Sequence, residues 1–383
     1  MFELGLFTDE VSQELEIAIK LAKEFDNQGI LSIRSLEIRS LWQKKGPHEL
    51  SDEDITRIKS ITDREGFKIV SIASPFFKCD LGDSVQYNEH MKILKKCISV
   101  GKKLNANIIR GFTFWRAPAG GRAPAGSGEL NNNWNKIIDN FKEPKKIVED
   151  EGIMLGIENE AACFIGAGRD LARFIKEINS DNIKAIWDPA NEIFDPTGEN
   201  PYPDGYNHVK DLIVHVHLKD AVKKGTKNEP ECVCVGDGEV DYKGQLKALI
   251  DDGYKGCVSL ETHWRPTREL TQELMNKPGG NVYSESGEIA SRSCLQNIYK
   301  IMNSIKNPIN DRIKSVLENR INPMLKGDGG GVKLTDFKDG VVMIKLTGAC
   351  AGCPMAQMTI QNGIERILKE EIPEIKRVEA ELL

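Results

Sequence analysis

Ile153-Met-Leu-Gly-Ile-Glu-Asn159, Lys184-Ala-Ile-Trp-Asp188 and Ile213-Val-His-Val-His-Leu-Lys219 are three short apolar runs, each closing on a polar or ionisable side chain. Brief runs rich in Ile and Val, separated by longer stretches of helical rhythm, read as buried parallel strands joined through helices. Working outward, the same pattern recurs upstream in Phe2–Phe7, Ser35–Arg39, Lys68–Ser74 and Asn107–Phe114, and downstream in Cys257–His263. Most runs precede a helical stretch; in Ser51–Glu65, for example, Leu50, Ile55, Ile58 and Ile61 share one stripe. Eight β–α alternations in about 300 residues is the rhythm of a (β/α)8 barrel. A doubly wound open sheet would call for a Gly-rich turn after an early strand, and none is present.

The chain has 383 residues, of which 40% are hydrophobic and 29% charged, which suits a folded protein of two domains rather than a disordered one. No apolar run approaches the roughly 18–20 residues of a membrane-spanning helix. Met1-Phe2-Glu3-Leu4-Gly5 lacks the basic and long apolar regions of a secretory signal, so a cytoplasmic protein with no membrane partner is expected. Residues 307–383 carry 11 charges of each sign, so the net charge of −6 sits in residues 1–306. Neither part has the basic excess that phosphate-backbone binding needs, so nucleic acid is not an expected partner. Seven of the nine cysteines are scattered without a repeating spacing and read as reduced, mostly buried thiols.

Two segments interrupt the rhythm. Arg116-Ala-Pro-Ala-Gly-Gly and Arg122-Ala-Pro-Ala-Gly-Ser are a tandem near-duplication whose composition predicts a loop, and Thr271–Glu288 predicts a second long loop. Residues 303–310 read as a linker, dividing the chain into a barrel over 1–305 and a small α+β domain over 306–383. The second domain opens with an amphipathic helix carrying Ile309, Ile313, Val316, Leu317 and Ile321. Val332–Phe337 and Val341–Leu346 follow as a hairpin through Asp339-Gly340. A helix from about Met355 to Glu371 and a last strand at Arg377–Leu382 complete it.

Barrel active sites are built at the C-terminal strand ends. Four consecutive barrel strands end in Glu158, Asp188, His217 and Glu261, spaced 30, 29 and 44 residues apart. A single strand-end carboxylate is commonly a solvated charge, whereas four titratable groups on one rim are costly without a metal or mutual pairing. One His with three carboxylates suits Mn, Mg, Co or Fe and also admits Zn. His215, His217 and Lys219 share one strand face, His217 being nearer the mouth and His215 one layer deeper. His263 lies on the same face as Glu261.

Residues 1–305 resemble the xylose isomerase-like barrels, a superfamily of sugar and sugar-phosphate isomerases and epimerases that also includes endonuclease IV. The resemblance rests on Leu36-Glu-Ile-Arg39, Ser74-Pro-Phe-Phe-Lys78, Ile109-Arg-Gly-Phe112 with Phe114-Trp-Arg116, and Gly156-Ile-Glu-Asn159. It continues through Trp187-Asp-Pro189, His215-Val-His-Leu-Lys-Asp220, Gly236-Asp-Gly-Glu-Val-Asp241 and Val258-Ser-Leu-Glu-Thr262. It implies that Glu158, Asp188, His217 and Glu261 hold the metal, and that Glu158 and Glu261 are the catalytic pair that removes and returns a proton beside a carbonyl. Glu37, Arg39, Lys78, Arg110 and Lys219 become substrate-binding candidates, the basic ones suited to phosphate or carboxylate. Asn191 stands where several epimerases of the group have His, and the third and fourth strand ends lack the histidines of endonuclease IV.

Cys350-Ala-Gly-Cys353 taken alone fits a redox dithiol, half a zinc site or half an iron–sulfur site. Pro354 suits a first helical turn, whose positive end favours thiolates at both sulfurs. Residues 308–383 resemble the C-terminal domain of the NifU-like iron–sulfur scaffolds. The matching pieces are Pro323-Met-Leu, Gly327-Asp-Gly-Gly-Gly-Val332, Leu346-Thr-Gly-Ala-Cys-Ala-Gly-Cys-Pro354, Gln357-Met-Thr, Gly363-Ile-Glu and Glu371-Ile-Pro-Glu374. Two cysteines are half of a four-thiolate set. The resemblance therefore implies a [4Fe–4S] cluster shared between the chains of a homodimer and delivered to acceptor apoproteins. Three rivals stay open: a lyase or dehydratase barrel, a barrel that only dimerises the chain, and a redox or electron-transfer tail.

Overall fold

The computed structural model describes residues 2–44, 46–116, 127–224, 229–267, 270, 274, 280–306, 308–352 and 363–380. The chain divides into two compact units, Met1–Tyr299 and Lys300–Leu383.

In the first unit the strands are β1 (Glu3–Phe7), β2 (Ile33–Ile38), β3 (Lys68–Phe76), β4 (Ile108–Gly111), β5 (Met154–Glu158), β6 (Ile183–Trp187), β7 (Ile213–Leu218), β8 (Asp220–Lys224), β9 (Glu229–Val233) and β10 (Cys257–Leu260). Eight of them close into a parallel barrel in the order β1-β10-β7-β6-β5-β4-β3-β2. All eight expected strands are therefore present, with shifted ends. The fourth is shortened to Ile108–Gly111: beyond it Phe112 and Phe114 donate backbone N–H groups to Phe76 and Phe77 outside the regular ladder.

The interior is tight where the strands converge. A Cβ on Gly5 would lie 2.8 Å from both Cys257 Sγ and Ser259 Oγ and 3.2 Å from the Ser35 carbonyl oxygen, so any side chain there would force its neighbours to shift. In register, Ser259 of β10 lies opposite His217 of β7, and Cys257 opposite His215. Period-2 alternation thus turns His215 and His217 inward together.

The sequence reading did not contain the antiparallel β8–β9 hairpin that follows β7. Asp220 fastens it: its carboxylate accepts the backbone N–H groups of Ala221, Gly236, Gly238 and Val240 at 2.9–3.2 Å. This accounts for the Gly236–Asp241 stretch as a turn built around one buried carboxylate. Within Thr271–Glu288, read as loop, Asn281–Ser284 and the start of the helix Gly287–Lys306 are helical. The stretch 117–126 of the duplicated segment lies outside the described residues.

The second unit contains β11 (Gly330–Lys338), β12 (Val341–Gly348) and β13 (Arg377–Ala380), in a three-stranded sheet of order β11-β12-β13. The hairpin turn has positive φ at both Asp339 (54°) and Gly340 (86°), the mirror-image turn that matches strand twist. Ile313, Leu317 and Ile321 pack with Val342, Ile344 and Leu368 in one core. The proposed linker is not extended: residues 303–306 end one helix, and Pro308–Val316 is another. Its Asn, Ser and Pro content marked a helix boundary, Pro308 taking the first-turn position where its missing N–H costs nothing.

Candidate functional site

Parallel pairing brings the four strand-end groups to one rim. Glu158 ends β5, Asp188 follows β6, His217 lies in β7 and Glu261 follows β10; each offers a ligand atom within 4.8 Å of the others, and all four are buried. His217 Nδ1 is 3.3 Å from Glu158 Oε1 and 3.4 Å from Glu261 Oε2, while its Nε2 is 3.4 Å from Glu37 Oε2. Asp188 is oriented by local chemistry. Its Oδ1 caps the helix Pro189–Phe194 by accepting the N–H groups of Ala190 and Asn191, which turns Oδ2 toward Lys219 Nζ at 2.7 Å. Asn159 ties the ends of β5 and β6 through bonds to the Asp188 N–H and C=O at 2.9 and 2.8 Å.

The basic candidates are already engaged. Arg39 bonds Asp9 at 2.8 Å, Glu10 at 2.8 Å and Glu261 at 2.7 Å, and stacks 4.1 Å over the Tyr283 ring. Arg110 pairs with Glu158 at 3.0 Å, and Lys219 also donates to Asn191 Oδ1 at 2.9 Å. Lys78 pairs with Glu160 at 2.6 Å and sits 4.3 Å above the Phe112 ring. Glu37 lies in a deeper layer, bonded to His215 Nε2 at 2.8 Å and to the Ser71 hydroxyl at 2.7 Å.

Sequence reasoning missed Asp9 and Glu10, although Thr8-Asp9-Glu10 directly follows β1 and is the same strand-end signal. It also missed Glu160 and the engagement of Asn191, which bonds Glu158 Oε1 at 3.3 Å and the Asn159 carbonyl at 2.7 Å. Arg265 pairs with Glu10 at 2.8 Å, and His263 stacks on Tyr283 with ring centroids 4.3 Å apart. These contacts bridge large sequence separations and carry no local signature.

Charge balance tests whether this pocket suits a cation. With the imidazoles neutral, as a metal-ligating histidine must be, the six buried carboxylates Asp9, Glu10, Glu37, Glu158, Asp188 and Glu261 are linked with four buried cations, Arg39, Arg110, Lys219 and Arg265, leaving an excess of two negative charges. Uncompensated charge at such depth is costly. The excess already appears in the titration of the site. Burial opposes charge on His217, yet Glu158 and Glu37 overcome it and push its pKa up to about 10. Burial raises Asp188 to about 6 against the pull of Lys219. One divalent ion cancels the excess, and three carboxylates with one imidazole are a hard donor set suited to it. Glu37 Oε2, 3.4 Å behind His217 Nε2, is a carboxylate placed where one would steady a ligating imidazole. The residues fit a divalent ion.

In the second unit Cys350 lies in the turn Ala349–Gly352 after β12, partly exposed. Gly330 lies directly beneath it, where a Cβ would overlap Cys350 Sγ and approach its Cβ to 3.1 Å. Cys353 lies outside the described residues.

A closed parallel eight-stranded barrel with its ionisable groups gathered at the C-terminal rim defines a TIM-barrel protein. The chain belongs to the xylose isomerase-like TIM barrel family, which residues 33–281 match. Residues 313–379 match the NifU-like domain, so the chain joins these two modules. The second module is 45% identical over 67 residues to the mitochondrial NFU1 iron–sulfur cluster scaffold homolog of Homo sapiens, a stretch that is 18% of this chain and 26% of that protein. The chain thus spans between 24% and 37% of the length of such curated relatives. D-psicose 3-epimerase of Clostridium cellulolyticum H10, solved with D-tagatose, superposes with a TM-score of 0.58 at 14% identity, over 79% of this chain and 99% of that one. A xylose isomerase-like TIM barrel protein of Mycobacterium smegmatis, solved in complex with magnesium, gives 0.53 at 15% identity, over 79% and 98%. At such identities these two likenesses concern the fold.

Proposed function

We propose that the barrel, residues 1–305, is a divalent-metal-dependent isomerase or epimerase acting on a sugar or sugar phosphate by proton transfer beside a carbonyl. Residues 306–383 then act as an iron–sulfur scaffold and carrier that passes clusters to acceptor apoproteins. The observation that carries the barrel reading is the convergence of Glu158, Asp188, His217 and Glu261 on one buried point of a pocket two charges short of balance.

These four residues would hold the ion. When bound, it supplies a Lewis acid for a carbonyl–hydroxyl pair, lowering the cost of breaking the neighbouring C–H bond. Glu158 and Glu261 approach the site from β5 and β10, on either side of His217, an arrangement that lets one carboxylate take a proton and the other return it. Arg110 contacts both, at 3.0 and 3.5 Å, and holds them oriented and ionised. Lys219 fixes Asp188 and Asn191, while Lys78 with Glu160 forms a partly exposed polar edge for substrate hydroxyls or phosphate. For the second module, Cys350 and Cys353 from each of two chains would complete the four thiolates of a shared [4Fe–4S] cluster.

Elemental analysis of anaerobically purified protein tests both modules. The expected result is about one Mn, Mg, Co or Zn per chain, lost in the Glu158→Gln/Glu261→Gln double variant, with about two iron and two sulfide per chain in a dimer. Sugar and sugar-phosphate substrates incubated in heavy water should gain deuterium at the carbon beside the carbonyl. An absent divalent ion together with no exchange would end the barrel reading, and no sulfide after reconstitution would end the scaffold reading.

A further inference from the structure

Cys234 follows β9, and Cys294 lies 60 residues later in the helix Gly287–Lys306, yet their sulfurs are 3.4 Å apart in the buried interior. Neither has a role in the chemistry above. Cys294 Sγ also lies 3.1 Å from the Thr262 hydroxyl and accepts the Val235 N–H at 3.5 Å, while Asn297 Nδ2 reaches Cys234 Sγ at 3.6 Å. Thiols with only a packing role are inert in apolar surroundings; a sulfur ringed by polar hydrogens is prepared to carry charge. Burial opposes that charge on Cys294, but the Cys234 thiol, Thr262, the Val235 N–H and nearby Arg265 outweigh it and hold the group below an ordinary thiol.

We propose that Cys234 and Cys294 form a redox modification site, which closes to a reversible disulfide on reaction with a hydroperoxide. Closure brings the sulfurs from 3.4 Å to a bond of about 2.05 Å, a movement within reach of side-chain rotation. The Cys294 thiolate attacks one peroxide oxygen; the O–O bond breaks, hydroxide departs, and a sulfenic acid remains. Cys234 loses its proton and its sulfur attacks the sulfenic sulfur; the hydroxide expelled takes up that proton as water. Two electrons pass from the sulfur pair to the peroxide, and a dithiol reductant returns them. Cys294 is fully buried, so hydrogen peroxide, close to water in size, reaches it past Cys234, which keeps 5% exposure and lies 3.4 Å away. Thr262 directly follows Glu261, so a shift of Cys294 Sγ from its place 3.1 Å from the Thr262 hydroxyl makes the disulfide a lever on that carboxylate. This consequence rests on the metal-site reading; the disulfide itself does not.

The test is peptide mapping of the full-length protein after stepwise hydrogen peroxide treatment. The expected result is a Cys234–Cys294 cross-linked peptide pair in most chains, released by dithiothreitol, retained in Cys232→Ser and absent in Cys294→Ser. Recovery of both cysteines as free thiols, Cys294 as sulfinic acid, or a cross-link to Cys232 instead would overturn the proposal. Manganese titration of reduced and oxidised wild type reads the lever separately: a several-fold loss of affinity on oxidation is expected. Equal affinity, with the cross-link present, overturns the lever alone, whereas no manganese binding in either state removes the metal-site reading and leaves the disulfide standing.

Discussion

Replacing Arg39 with methionine keeps most of the side-chain bulk and removes the charge that joins Asp9, Glu10 and Glu261. Breaking a buried ion pair from one side costs about 3–5 kcal/mol, and here the cost should vary with pH in a calculable way. Burial already raises the Asp9 pKa from 3.8 to about 6, with Arg39 pulling against it. An acid whose folded pKa is raised stabilises the fold while protonated, and that contribution is lost as pH rises through the folded pKa. In the wild type the loss therefore levels off above about pH 6. Without Arg39, Asp9 stays protonated to higher pH, and stability should keep falling by about 1.4 kcal/mol per unit, the value of one proton. The deficit of Arg39→Met should thus widen above pH 6, by about 1.4 kcal/mol for each unit that loss of Arg39 adds to the Asp9 pKa. In melting temperature that is about 2 °C per kcal/mol for a domain of this size. Denaturant titrations at half-unit pH steps measure it, and Asp9→Asn added to Arg39→Met should abolish the slope. A deficit independent of pH, or a slope that persists in the double variant, would show that Asp9 is not the group Arg39 compensates.

Two further outcomes follow from single positions. Gly330→Ala places a methyl group where Cys350 Sγ now lies, so iron and sulfide loading after anaerobic reconstitution should drop several-fold while the far-ultraviolet circular dichroism stays native; unchanged loading would show that the glycine does not seat the thiol. Glu192 is buried, and burial raises its pKa from 4.5 to about 7 even though it accepts the N–H groups of Gly168 and Glu199. Being a raised acid, it should lower stability by about 3 kcal/mol as pH climbs from 4.5 past 7, and Glu192→Gln should flatten that dependence in thermal melts.

Much of the architecture was legible in the chain because barrel strands, buried on both faces, announce themselves as short apolar runs. The four rim groups were legible for a related reason: a strand that ends in Glu, Asp or His delivers that side chain to the C-terminal mouth wherever its neighbours lie. The Asp339-Gly340 turn was readable from adjacent residues, since its geometry is local. The β8–β9 hairpin escaped because its strands are half-exposed and lack the apolar run that marks the others.

What the tertiary structure alone decided is which charges meet. Arg39 reads equally well as a substrate contact or a structural pair; only the folded chain brings Glu261, 222 residues away, to 2.7 Å. The same holds for Glu37 with His215, separated by 178 residues, and for Cys234 with Cys294. Electrostatic and thiol chemistry depend on separations of a few ångströms, and closing a barrel sets those separations between strands that one-dimensional periodicity leaves unordered. Residue type and spacing therefore specified the barrel and the strand ends that gather at its mouth. The pairings that give the pocket its two-charge deficit, and the thiol pair its proximity, exist only once the eight strands are closed.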